Sequence, residues 1–483
     1  GRLTVRTKQE AEEQVSKIKR YYSEETMRPW RNWLLFIGDD EDSDSHMTQA
    51  DNVANRASEV NKNMNIDKVY LDAYPQVSGA GGERYPEAKE AFNKRIDQGA
   101  LIVSYMGHGG ELGWAHERVL EVPQINGWSN ENVMPLFLTA TCEFSRYDDP
   151  QRTAAGELVL LNPRGGAIAL LTTTRLVYSG GNYSLMDNFF EFGFSQLDSG
   201  LTTLGDLVEV TKINTASDAN SRKFNLLGDP ALTLAIPKYN VVTTEFPDTM
   251  KGLSKVTIRG FVADRNNQKM QDFNGIIYPS VFDKSREVKG LHNDNPTDTN
   301  YFKFNLQTAV IFKGRASVVN GDFEFTFVVP KDVSLEYGNA RISYYAENDT
   351  SDANGNETNF LLGGYDENAI EDKEGPDVDL YMNDEAFVFG GLTDENPNML
   401  AHIFDDNGLN TSGNGIGHDL VAVLDQNSTN SILLNDYYEA ELDDYQKGTI
   451  NYPFSKLDAG QHTLTLKVWD VYNNSGEANT EFV

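Results

Sequence analysis

One cysteine, Cys142, serves the whole chain of 483 residues. A lone thiol can form neither an intramolecular disulfide nor a cysteine-based zinc site. It also leaves the redox compartment open, because single thiols suit a reducing cytosol and many bacterial surface proteins alike. Basic side chains are scarce as well: 41 Lys and Arg face 73 Asp and Glu, for a formal charge of -32. A chain this acidic is repelled by phosphate backbones, which argues against nucleic acid as a partner. The same acidity fits a hydrated surface and can supply carboxylates to calcium. No apolar run approaches the roughly 18–20 residues of a membrane helix, and no signal-peptide pattern opens the chain. The first residue is Gly1 rather than Met, so the sequence reads as a fragment or processed product. Short-period repeats and low-complexity tracts are missing too, and the length suits two to four domains.

What is present falls into two textures. Residues 7–22, TKQEAEEQVSKIKRYY, place apolar side chains at helical spacing behind a Thr cap. WLLFIGDD (33–40) is a short apolar run ending in acids. A helical stretch at 49–63 leads to KVYLDAY (68–74), and PEAKEAFNKRIDQG (86–99) is a helix closed by Gly99. ALIVSYMGHGG (100–110), MPLFLTATC (134–142) and GGAIALLTTTR (165–175) continue the pattern. Strands apolar on both faces, separated by helices, predict a parallel sheet covered on both sides. After NLLGDPALTLAIPKYN (225–240) the pattern becomes strict alternation, as in GDFEFTFVVP and HTLTLKVWD, with Asn, Asp and Gly turns between. That reads as antiparallel β-sandwich modules. The acidic, Gly-rich stretch 362–379 reads as a boundary, giving three domains: 1–238, 239–374 and 375–483.

Ligands on a parallel sheet gather beyond the carboxyl ends of its strands. Three such ends carry reactive groups: Asp39 and Asp40, then His108, then Cys142. Taken alone, Cys142 reads most simply as a small buried hydrophobe, and His108 in its Gly turn reads equally as structural or functional. Their placement at successive strand ends favours a nucleophile and its base. The glycines around His108 let backbone N–H groups approach a substrate closely, so Gly109 and Cys142 are the expected oxyanion donors. Asp39, and after it Asp40, is the acid expected to orient the imidazole. His116, on the same loop, is the rival base. No G-K-[ST] follows the glycines, which argues against phosphate binding.

At these residues the sequence resembles the gingipain-type cysteine peptidases, which share the caspase-haemoglobinase fold. The matching stretches are GRLTVRT (1–7), WLLFIGDD, SYMGHGG (104–110), LFLTATCEFSRYDD (136–149), LLNPRGGAIALLTTTRLVY (160–178) and LLGDPALTL (226–234). Within that clan, residues 153–182 and the tail from 375 to 479 look most like the type IX secretion sortases. The resemblance implies that Cys142 is the nucleophile, His108 its base, and Gly109 and Cys142 the oxyanion donors. Asp39 matches the histidine-orienting acid, where gingipains carry Glu. Tyr178 corresponds to an aromatic wall of the specificity pocket. Where the family places the acid that binds Arg or Lys, this chain reads SHMTQAD with no equivalent carboxylate aligned, which argues against basic specificity. The Gly-Arg opening matches the start of the second half of the family's catalytic region, so a first half and an export signal are expected upstream.

The resemblance further implies a bacterial cell-surface enzyme, peripheral on the outer membrane. It would remove the C-terminal secretion domain from cargo proteins and pass the new carboxyl end to an amine of anionic lipopolysaccharide. Its partners would be an outer-membrane β-barrel shuttle protein and other attachment-complex subunits. No cofactor is expected for the chemistry. The loops DDEDSD (39–44) and FDDNGLNTSGNG (404–415) read first as solvated acidic turns; as structural calcium sites they would use Asp42, Asp44, Asp405 and Asp406. Immunoglobulin-like modules behind a catalytic domain serve most often as spacers or docking surfaces. Two other readings stay open: a secreted endopeptidase that only hydrolyses, and a non-catalytic docking scaffold.

Overall fold

In the computed structural model, residues 1–195, 202–216, 218–294, 297, 299–412, 417–427 and 431–483 are described. The chain divides into two compact units: Gly1–Lys238 with Arg286–Leu306, and Tyr239–Ser285 with Gln307–Val483.

The first unit is built on a six-stranded sheet. Its strands are β1 (Trp33–Gly38), β2 (Asn65–Tyr70), β3 (Ile102–Met106), β4 (Leu136–Ala140), β5 (Ala169–Thr173) and β6 (Phe224–Leu227). The spatial order is β2-β1-β3-β4-β5-β6, parallel throughout except for β6. Alternate side chains enter two cores. Leu34, Phe36, Leu136, Leu138 and Leu171 face one side. Leu35, Ile37, Val103, Tyr105, Phe137 and Leu170 face the other. Each face is covered because each helix is amphipathic. Helix α2 (Ser45–Val60) buries Met47, Ala50, Val53, Ala54 and Ala57 against the first core. Helix α3 (Pro86–Gln98) buries Ala88, Phe92 and Ile96 in the second. This explains the apolar runs: a central parallel strand has no solvent face on which to alternate.

Local signals hold at the helix ends. Helix α1 (Lys8–Tyr21) starts at Thr7, whose hydroxyl accepts from Glu10 N–H while the Glu10 carboxylate accepts from Thr7 N–H, the reciprocal cap that satisfies two orphan donors. Gly99 closes α3 at φ 89, a backbone region that disfavours a side chain. The run expected as a strand at 68–74 instead pairs over 65–70 and turns into a 3-10 helix at Leu71–Ala73.

Residues 286–306 lie in sequence among the β-sandwich strands yet belong to the first unit. They form a hairpin, Arg286–Lys289 against Lys303–Leu306. Phe302 and Phe304 pack on Tyr70, with centroids 5.7 and 4.6 Å away. The Asp72 carboxylate accepts from the N–H groups of His292 and Asn293, both at 2.9 Å.

The second unit is all β among its described strands, with two separate cores. Val241, Ile258, Ile277, Phe325 and Ile342 centre one; Met399, Ala401, Ile450, Leu464 and Leu466 centre the other. The first core lies within an eight-stranded sheet that closes on itself through pairing of Gly275–Phe282 with Arg341–Glu347. The second is enclosed by two four-stranded sheets. Asp405, Asp372 and Asp470 bring carboxylate oxygens within 4.8 Å of one another, so Asp405 groups with two acids other than Asp406. Residues 413–415 of the acidic loop lie outside the described residues.

Candidate active site

The strand order reverses between β1 and β3, and crevices at such switch points are where α/β sheets take ligands. Register then determines which residues meet. Met106 pairs with Ala140 across β3 and β4, so His108 and Cys142 each stand two residues beyond one paired position on adjacent parallel strands. Such strands run about 4.8 Å apart. Gly38 pairs with Met106 on the other side, and Asp39 N–H donates to the Met106 carbonyl at 3.0 Å. All three predicted strand ends therefore converge on one edge.

Cys142 is half-buried, with its Sγ accepting from Val177 N–H at 3.4 Å. The next residue, Tyr178, is 74% exposed, anchored by its N–H to Asn220 Oδ1 at 2.8 Å. Tyr178, the residue expected to form an aromatic wall, thus directly follows the residue that contacts the thiol. Gly109 lies opposite Trp114 in a short antiparallel ribbon, next to the bond from Ala115 N–H to the His108 carbonyl. Alternation along such a ribbon turns the Gly109 N–H away from its partner strand. A Cβ at Gly109 would lie 2.7 Å from Thr141 Oγ1, so the loop packs directly on the residue before Cys142.

The acids are arranged differently from the sequence expectation. Asp39 is fully buried, and its Oδ2 accepts from the main-chain N–H of His108 at 2.7 Å; it fixes the loop rather than the ring. The ring Nε2 of His108 meets Asp42 Oδ2 at 3.2 Å. Asp40, the second choice, accepts a hydrogen bond from the Tyr85 hydroxyl. His116 is exposed, pairs with Glu41 Oε1 at 3.2 Å and stacks on His108 at 5.4 Å. Sequence reasoning missed His46 as a member of this cluster. It lies in the first turn of α2, edge-on to His108 with centroids 5.1 Å apart, four residues after Asp42. That i,i+4 spacing was the available signal. Glu117 was also missed.

Charge and burial tune these groups. Burial pushes Asp40 up to about 8, with the Tyr85 hydrogen bond opposing. Burial also raises Asp39, against the His108 N–H and imidazole, which favour the carboxylate. Glu117 is raised mainly by burial, and His46 is lowered by it. The hydrogen bond to Glu41 raises His116. Asp39, Asp40 and Glu117 each bury one oxygen without a hydrogen-bond partner, and the three residues bring carboxylate oxygens within 4.8 Å of one another.

A cleft of about 710 Å³ runs from His108 and Gly109 past Leu112 to Glu143, the residue after the thiol. Its carboxylates are paired: Glu111 with Arg146 at 2.9 Å and Arg152 at 3.2 Å, Glu121 with Lys89 at 2.7 Å, Glu143 with Arg146 at 3.7 Å. In SHMTQAD, Asp51 is held by Lys68 Nζ at 2.6 Å and the Tyr70 hydroxyl at 3.2 Å.

A thiol and an imidazole at one strand-end edge, with glycine N–H groups beside them, define the constellation of a cysteine peptidase. Residues 1–235 match the sequence model of peptidase family C25, the gingipain family. Among solved structures the chain is similar to dimeric latent PorU from Porphyromonas gingivalis, with 26% identity over 66% of this chain and a TM-score of 0.34. It spans 31% of that PorU chain. It is also similar to the Arg specific cysteine proteinase gingipain R, at 15% identity over 75% of this chain and 74% of the other, with a TM-score of 0.41. No curated protein matches it.

Proposed function

We propose that this chain carries the nucleophile-bearing part of a cell-surface sortase of type IX secretion. The observation that carries the reading is the placement of Cys142 and His108 at equal height beyond adjacent parallel strands. His108 takes the thiol proton, and the Cys142 thiolate attacks the scissile carbonyl carbon. The oxyanion accepts from the N–H groups of Gly109 and Cys142. Collapse returns the proton from the imidazole to the leaving amine, freeing the C-terminal secretion domain and leaving a thioester. An amine of anionic lipopolysaccharide, or water, then resolves it to an amide or an acid. No cofactor enters these steps. The parallel sheet is read as the caspase-haemoglobinase type and the C-terminal modules as immunoglobulin-like, with structural calcium on their acidic loops.

Specificity follows from the cleft. Every carboxylate that lines it is already paired with a cation, and Leu112, Leu176 and Tyr178 stand exposed. The pocket is therefore read as favouring small or apolar side chains over Arg and Lys. The proposed partners are cargo proteins with C-terminal secretion domains, the outer-membrane β-barrel shuttle and other attachment-complex subunits. A second reading, a gingipain-like peptidase that only hydrolyses, uses the same site. Incubating cargo with the protein and a primary amine, then determining the new C terminus by mass spectrometry, separates them. An amide supports the sortase, an acid alone supports the hydrolase, and uncut cargo refutes both.

A further inference from the structure

Two imidazoles converge on one carboxylate oxygen beside the base. Asp42 Oδ2 is 3.2 Å from His108 Nε2 and 3.4 Å from His46 Nε2, and the three residues each bring one ligand atom within 4.8 Å of the others. His46 is 5% exposed, and its Nε2 has no hydrogen-bond partner despite facing Asp42. A buried ring nitrogen without such a partner, aimed at a second imidazole and a carboxylate, is a donor set lacking its acceptor.

We infer that Asp42, His46 and His108 form a site for a borderline transition-metal cation, best matched by zinc, that holds the peptidase in a reversibly inactive state. Zinc binds imidazole nitrogen and carboxylate oxygen at about 2.0–2.2 Å, which places tetrahedral ligand atoms about 3.3–3.5 Å apart. The two edges, 3.2 and 3.4 Å, come within about 0.1 Å of that spacing. Two nitrogen donors select against calcium and magnesium, which take oxygen ligands. Asp42 is exposed and His108 half-exposed, giving the ion an entry path and leaving a fourth position for water. Glu41, paired with the His116 that stacks on His108, adds a carboxylate near the site that favours cations.

The consequence for catalysis rests on His108 being the base. A metal on Nε2 uses that lone pair and leaves the remaining proton on Nδ1. The ring then has no lone pair with which to take the proton of Cys142. Release of the ion restores it.

The test separates binding from turnover. Cobalt(II) added to the intact chain should give the intense visible bands of a four-coordinate adduct, and zinc should displace it at one equivalent. His46→Gln should weaken zinc binding by about 100-fold, as should Asp42→Ser, an exposed position that leaves the core untouched. Calcium should neither bind there nor compete. These readouts need no peptidase activity, so they stand even if the sortase reading fails. With an active preparation, zinc should inhibit, a chelator should reverse it, and both variants should lose sensitivity by the same factor. Absence of the cobalt bands would overturn the inference. So would unchanged zinc affinity in Asp42→Ser and His46→Gln, which would place the ion elsewhere, such as on Cys142.

Discussion

Substituting alanine for one of two neighbouring glycines probes how closely the His108 loop is fitted to the Thr141–Cys142 segment. At Gly109 the added Cβ would lie 2.7 Å from Thr141 Oγ1 and 2.8 Å from the Gly113 carbonyl oxygen. Neither neighbour can yield cheaply, because Thr141 is buried and the other atom is main chain in the ribbon. Relief requires the loop to move by about half an ångström or more. Overpacking of this kind costs about 1–3 kcal/mol. The displaced group is also the proposed oxyanion donor, and loss of one such donor costs about 10²–10³ in kcat. At Gly110 an added Cβ meets nothing within 4 Å. Gly109→Ala is therefore expected to lower kcat by about 100-fold with KM little changed. Gly110→Ala should stay within a few-fold of the parent. The assay is steady-state cleavage of a peptide spanning the cargo junction, with thermal unfolding in parallel. Equal activities for the two variants would refute the claim that the Gly109 N–H and the Thr141–Cys142 segment form one fitted surface.

Cys142→Ala should abolish cleavage while leaving the unfolding midpoint close to the parent, since the side chain is only half-buried at the edge of the first core and its polar contacts are to the Val177 main chain; a trapped thioester seen in the parent should vanish. Asp39→Asn replaces a buried charged acceptor of the His108 N–H, worth about 1.5–3 kcal/mol, and should cost about 10–100-fold in kcat/KM. Asp42→Asn alters an exposed pair worth about 1 kcal/mol or less and should cost only a few-fold; the reverse ranking would mean that the ring contact, rather than the loop anchor, governs the base. Lys17 is fully buried, with burial pulling it down to about 7, while its ammonium donates to the carbonyls of Leu160, Gly165 and Ala167. Its folded value lies below the unfolded 10.5, so the unfolded chain binds more protons between those values and stability rises with pH across that window. Chemical denaturation from pH 7 to 10 should show this rise in the parent and its loss in Lys17→Met; parallel curves would refute the assignment.

The elements, and the strand-end placement of the candidate pair Cys142 and His108, could be read from the sequence alone. Runs such as WLLFIG and LFLTA are continuous because both faces of the central strands are buried, and the Thr7 and Gly99 signals mark helix ends through purely local chemistry. Cys142 and His108 were legible because each follows a strand by a fixed count, and parallel register carries that count into space. The acids were not. Asp42, Ser43 and Asp44 adopt successive positive φ values of 58, 57 and 62, which carry Asp42 back under the imidazole, and nothing in DDEDSD announces such a turn for non-glycine residues. His46 reaches the site through the docking of α2 on the sheet, and Asp72 recruits a hairpin more than 200 positions later. These pairings depend on how elements pack, an interaction between distant surfaces that local pattern does not encode. Tertiary structure therefore decided which carboxylate fixes the base loop, which faces its ring, and which histidine joins them.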